Sequence, residues 1–418
     1  MSTTVNASFQ SMLNQYLPNK LLKEEMVKRD YILSNIQMDE KWKGGPIQVP
    51  FKAAGSSSIK MGQLTDSNDI SQDQFVRGSI SGYKECWGSM IFNHHDLLDH
   101  SGRVIEDSFL KILPDLVDDF MQYMKMVVSV QLGTGPSFSA VTDDSAAASG
   151  VLKVTRIDRF VLGQKVTLID GNTAAGSYYV IAIDVNTDAV TLSATRGGAA
   201  ADVSAYSVAQ SAKFYTDGAD TTFFTSIKSA LLSAANGGSS TLHGVSKISA
   251  PYLQAINVDG SGITASNIIN QLFDAYTTVR KKAKGNADRF VMSYKHFGSV
   301  LKGLENKTNG FASWNMAVGS RKANLFGWDE IEITSVKGSL KIIGIQEWDD
   351  DTIAILDMNS MTFRSNGFFR KRKSPDGIEY FEIRSPSGFQ YIVDICLFGE
   401  LEMTKPGNNA IIYNIPNY

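Results

Sequence analysis

The chain has 418 residues, of which 43% are hydrophobic, 20% charged and 10% aromatic, a globular composition that excludes disordered or fibrous material. Forty basic residues against 43 acidic ones leave a formal net charge of −3, which excludes the strongly basic balance of a protein that grips nucleic acid by its phosphates. Two distant cysteines, Cys86 and Cys396, make neither a disulfide scaffold nor a ligand pair, no apolar run approaches the roughly 18 residues of a membrane span, and the polar first ten residues lack a secretory signal, so a soluble, cytoplasmically made protein is expected.

Residues 1–40 read as an amphipathic arm. Met12, Leu13, Tyr16 and Leu17 form an apolar patch, Pro18 breaks it, and Leu21, Leu22, Met26, Ile32 and Ile36 continue among charges. Such a segment is too narrow to hold a core and must lie on another surface, its own chain's or a neighbour's. In 41–93, Ile47, Val49 and Phe51 alternate with Gln48, Pro50 and Lys52, the period of a half-exposed strand. The polar stretch around 55–73 and a second strand-like run over 74–91 complete two long antiparallel strands with a polar tip. A two-stranded ribbon is marginal in water and wants a partner surface.

His94, His95, Asp96, Asp99 and His100 could hold a metal, but read better as a polar helix start or loop before a long apolar-striped segment. Ile105, Phe109, Ile112, Leu116, Phe120, Tyr123 and Val127 then step by three and four, predicting a helix over 103–131 that Pro114 should kink or divide. Residues 137–150 are small and polar and read as a linker. Over 151–216, short alternating runs (Val190, Leu192 and Ala194 against Thr191, Ser193 and Thr195) separated by turns at 170–172 and 186–188 predict a small barrel or sandwich, inserted in a larger domain.

Residues 217–418 are mixed α/β. A helix over 266–284 carries Ile268, Ile269, Leu272, Phe273, Tyr276 and Val279 and ends on Arg280, Lys281 and Lys282, cations that suit a helix C-terminus. A strand at 289–292, a second helix, and strands near 331–333, 340–345, 352–356, 378–383 and 389–403 follow. Glu347, Asp349, Asp350 and Asp351 could offer calcium ligands but read better as a solvated hairpin turn. Phe369 to Gly377, with Arg370, Lys371, Arg372 and Lys373, reads as a basic hairpin tip that could meet acidic neighbours or packaged nucleic acid. No phosphate-binding loop, dinucleotide fingerprint, nucleophile elbow or zinc motif is present, so nothing supports an enzyme or a cofactor.

This order of elements resembles the major capsid protein of tailed bacteriophages, the HK97-type fold. Residues 47–52 and the strand before Trp87, Gly88 and Ser89 look like its extended E-loop, 105–130 like its spine helix, and 266–292 with the following helix like its A-domain. Residues 160–166 and their sequel look like the β insertion that some members carry. The resemblance implies an α+β, HK97-like capsid fold: arm 1–40, E-loop region 41–93, spine helix and P-domain 94–150, small all-β insertion 151–216, and A-domain 217–418 with return strands to the P-domain.

It implies a virion protein assembled in the host cytoplasm as hexamers and pentamers around double-stranded DNA, with a portal and possibly a decoration protein and no membrane partner. No long charged coiled coil that could serve as a fused scaffold is present, so a separate scaffolding protein is implied. Candidate inter-subunit contacts are Ile47, Val49, Phe51, Lys52, Lys60, Arg370, Lys371, Arg372 and Lys373. Lys52 and Lys60 are the lysines a crosslink between subunits would use, and no motif fixes their partner. The alternative is a phage tail, baseplate or decoration protein whose β block binds host glycan.

Overall fold

The computed structural model describes residues 23–24, 26–27, 30–52, 75–93, 106–171, 175–219, 223–248, 250–282, 287–308, 330–335, 338–366, 369–373, 381–385 and 388–416. The fold is mixed α+β and divides into two compact units, each built from discontinuous stretches. The first comprises Met1–Gly44, Tyr83–Ser129 and Phe363–Glu400, the second Gly45–Gly82, Val130–Thr362 and Leu401–Tyr418. These units cut across the linear segments read from sequence, because the ribbon (45–82) and the strand after it fall on different sides.

The first unit holds most of a six-stranded sheet and most of the helix that covers it. The sheet's axis is the 16-residue strand Gly388–Met403, which pairs with Lys84–Asn93, Phe381–Ser385, Arg370–Lys371 and Met361–Ser365, the last also holding Gln37–Asp39. The run expected as one strand over 74–91 is two, Phe75–Ile80 and Lys84–Asn93, broken at Ser81–Tyr83, and only the second joins this sheet.

Alternation along Lys84–Asn93 turns Cys86, Gly88 and Met90 toward the spine helix, Glu106–Gly133. A Cβ on Gly88 would lie 2.5 Å from Phe120 Cζ and 2.8 Å from Met124 Sδ, so glycine permits the close approach. The helix is not divided at Pro114, one of the two outcomes expected there, and runs on as one 28-residue element. One missing donor is a local loss, and the later turns bury Met121, Met124, Val127, Val128 and Val130. Burial there has rotated one residue from the predicted stripe, leaving Phe120 and Tyr123 half-buried.

From the arm, Met26, Ile32 and Leu33 are buried. Asp30 caps the short helix Tyr31–Asn35 by accepting from Leu33 N at 2.8 Å, and it also accepts from Ser129 Oγ. The arm's base is therefore tied to its own unit.

The second unit contains a six-stranded mixed sheet in the order Ile256–Asp259, Ala410–Tyr413, Ile353–Leu356, Arg289–Met292, Gly338–Gly344, Glu330–Ser335. Helices Ile268–Lys282 and Tyr294–Thr308 pack on it around Ile268, Leu272, Val279, Phe290, Ile342 and Ile355. Strands Ala410–Tyr413, Ile353–Leu356 and Arg289–Met292 in its interior carry near-continuous apolar runs, as strands covered on both faces do.

The same unit holds a closed six-stranded barrel, Lys213–Thr216, Ser137–Asp143, Val151–Val154, Ala189–Ser193, Gly176–Asp184 and Lys165–Ile169. Leu152, Val166, Leu168, Val180, Val190 and Leu192 fill it with no exposure, beside Phe138, Phe160 and Phe214. The stretch 137–150, expected as a linker, is instead the strand Ser137–Asp143 and a 3-10 turn, Ala147–Ser149. Its serines and alanines look like a linker, but Phe138, Val141 and Ala147 point into the barrel.

Candidate assembly surfaces

The ribbon strands Ile47–Lys52 and Phe75–Ile80 form a two-stranded sheet of their own, in register from Ile47 with Ile80 to Lys52 with Phe75. Alternation exposes Gln48, Pro50 and Lys52, half-buries Ile47, and buries Val49 and Phe51 completely. The buried side sits on its own unit. The Phe51 ring stacks on His243 with centroids 6.1 Å apart and planes 2° apart, and Ser79 N donates to His243 O at 2.8 Å. A Cβ on Gly78 would come within 2.5 Å of Phe51 Cε2 and 2.9 Å of that carbonyl oxygen, so only glycine fits.

His243 has a left-handed φ of 48°, and its Nε2 accepts from Met403 N–H at 3.4 Å, which requires a neutral ring. Burial pushes its pKa down to about 4. The Lys52 ammonium lies 5.8 Å above the Tyr252 ring. Val49 and Phe51, expected to contact a neighbour, are therefore filled by their own chain. The ribbon's outward groups are Gln48, Pro50, Lys52, Arg77 and Phe75, which is 62% exposed at the outer end. Lys60 and the tip, like the 94–100 histidine cluster, lie outside the described residues.

A second surface is the sheet face opposite the spine helix. Trp87, 43% exposed, meets Phe398 edge-on at 5.4 Å, and Tyr83 meets the same ring at 5.3 Å. Arg370 lies 5.3 Å over Phe398 and Arg372 5.4 Å over Trp87. Ser89 Oγ donates to Asp394 at 2.6 Å, and Trp87 Nε1 to Glu85 at 2.8 Å.

The basic run at 370–373 is thus not the solvated tip expected from sequence. Arg370–Lys371 is a strand paired with Ile395 and Cys396, Lys371 is buried, and the fully buried Phe369, at φ 53°, anchors its start. Arg370, Arg372 and Lys373 remain exposed. Cys86 and Cys396 face opposite sides of adjacent strands, and burial pushes their thiols up to about 12 and about 11.

The third feature is the turn at 346–351, expected as a solvated hairpin. Trp348 is buried, and its Nε1 donates to Thr352 O at 3.0 Å. From the barrel, Arg156 donates to the carbonyls of Trp348 (2.7 Å) and Gln346. Arg159, 1% exposed, donates to Glu347 O at 2.6 Å, Phe138 O at 2.7 Å and Asp349 Oδ1 at 3.0 Å. Lys228 reaches Asp349 Oδ2 at 3.1 Å and Asp351 at 2.8 Å.

Burial alone would raise the Asp349 carboxyl, but Lys228 and Arg159 beside it outweigh burial and hold it below the ordinary carboxylate range. A cleft of about 290 Å³ runs alongside, lined by Ser137, Thr155, Arg156, Lys213, Lys228 and Asp351 among others. Among the described residues no three His, Cys, Asp or Glu side chains are placed to hold a metal. Nothing in the sequence signals this pairing of charges some 190 positions apart.

No family model matches the sequence, and no curated protein does. Among solved structures the chain is similar to the cyanophage A-1(L) capsid asymmetric unit, at 12% identity over 91% of this chain and 90% of that one, with a TM-score of 0.45. It is also similar to the capsid of a native GTA particle (11% identity, 92% and 90% coverage, TM-score 0.42) and to the procapsid of satellite phage P4 (9%, 94% and 98%, 0.38). The solved structures it is similar to are thus capsids of phages and gene transfer agents.

Proposed function

We propose that this chain is a shell-building subunit, the major capsid protein of a tailed bacteriophage, assembling as hexamers and pentamers into an icosahedral head around double-stranded DNA. The observation that carries this reading is the ribbon. Among the described residues its two strands pair with each other; they are seated on their own unit as far out as Phe51, which stacks on His243, and they present Phe75 outward at the end that leads to the tip. A free ribbon of this kind is marginal alone, and a symmetric assembly supplies the covering surface from the next copy.

In this reading the ribbon is the E-loop, Glu106–Gly133 the spine helix of a P-domain, the six-stranded sheet with its two helices the A-domain, and the barrel an inserted domain. The net charge of −3 suits a container that must not hold its genome to the wall. A separate scaffolding protein and a portal are the partners this role requires.

Deleting the tip, 56–73, tests it. The deleted chain is expected to stay folded by circular dichroism and gel filtration, yet to build no stable shells in electron micrographs. Normal particles from the deleted chain would refute the ribbon's role as an inter-subunit clasp.

A further inference from the structure

The barrel meets the six-stranded sheet of its own unit through charges and carbonyl groups. Three consecutive carbonyls, of Gln346, Glu347 and Trp348, are taken by two guanidinium groups, those of Arg156 and Arg159, at one corner of the barrel. Asp349 then accepts from Arg159 on one oxygen and from Lys228 on the other. One half-buried carboxylate thereby ties together the barrel, the short helix Ile227–Leu231 and the turn before strand Ile353–Leu356.

The barrel's apolar core is closed around itself, with Leu152, Val180 and Leu192 fully buried inside it. Its cohesion therefore does not depend on the seat. Charged hydrogen bonds of this geometry are strongly directional, so they fix orientation. Taken whole, such a pair adds little net stability, because desolvation offsets much of the attraction, whereas removing one partner leaves the other's buried charge uncompensated. The adjoining cleft of about 290 Å³ gives water a route to Lys228 and Asp351, so charges freed there can be re-solvated.

We infer that this seat is a releasable clamp: it holds the barrel at one orientation on the sheet and lets it come away as a folded body once the Asp349 charge is lost. The inference does not depend on what the chain assembles into.

Hydrogen exchange read by mass spectrometry on the full chain tests it, comparing the unmodified protein with D349N and K228M. In D349N the amides of 346–351 and 156–160 are expected to exchange about tenfold faster or more, with a smaller gain in K228M. Strands Val151–Val154 and Ala189–Ser193 of the barrel, and Arg289–Met292 and Ile353–Leu356 of the sheet, should keep their protection in both. Unchanged exchange at the turn in both variants would overturn the clamp. So would loss of protection throughout the barrel or the sheet in K228M, since the charges would then belong to one continuous core. K228M removes one of the two cations on Asp349 and leaves the Arg159–Asp349 pair, so it reads the seat at partial strength where D349N fails to fold.

Discussion

His243 is the residue on which the ribbon's geometry turns. It supplies a ring for Phe51, a carbonyl for Ser79 and an acceptor for Met403, the last available only while the imidazole is neutral. With its pKa lowered to about 4, the folded chain binds this proton less readily than an unfolded chain would, near 6.5. The stability of the seat is therefore fully present above that unfolded value and is lost progressively as pH falls from about 6.5 towards 4. Exchange of the Ser79 amide is expected to quicken over that window, and the pH step to vanish in H243N, whose shorter side chain tolerates the left-handed backbone. A pH step that persists in H243N would assign the effect to another group.

Phe51 and Phe75 make a contrast within the same ribbon. Phe51 has no exposure, so F51A should cost about 3–5 kcal/mol, read as a fall in the denaturation midpoint of the isolated subunit. Phe75 is 62% exposed, so F75S should leave subunit stability within about 0.5 kcal/mol while weakening assembly. Equal effects of the two on the subunit alone would mean that Phe75 is covered within its own chain.

At the scale of elements, local periodicity was the legible part. Val49 and Phe51 alternate with polar neighbours, and their strand forms where that pattern lies. The turns at 170–172 and 186–188 marked barrel strands for the same reason, since turn chemistry is written in adjacent residues. What stayed hidden was set by distant partners. Ser137–Asp143 looked like a linker until Phe138 met Phe160 at 4.9 Å, and the acidic turn at 347–351 looked solvated until Arg159 and Lys228 reached it. Alternation in 370–373 is too short to announce a strand, so Lys371 gave no sign of burial.

The contact of spine helix and sheet at Gly88 is likewise non-local. Valine there would force Phe120 and Met124 aside, and G88V is expected to destabilise by about 1–3 kcal/mol in urea unfolding. An unchanged midpoint would mean that the helix stands further from the sheet than these distances require.

For the whole molecule, order of elements carried more than any motif. In the proposed reading, an arm tied down at Asp30, a ribbon seated on its own unit, a long helix and a sheet with a 16-residue strand are parts of a tile whose neighbours cover what it leaves open. The candidate contacts narrowed accordingly. Val49, Phe51 and Lys371 are used internally, whereas Lys52, Arg370, Arg372 and Lys373 keep exposed positions.

Negative-stain electron microscopy of the chain expressed alone, with mass photometry on the same sample, decides whether the subunit self-assembles. Shells, tubes or rosettes of five or six copies are the expected result. A uniform 45.7 kDa monomer that persists when candidate scaffolding proteins are co-expressed would contradict self-assembly.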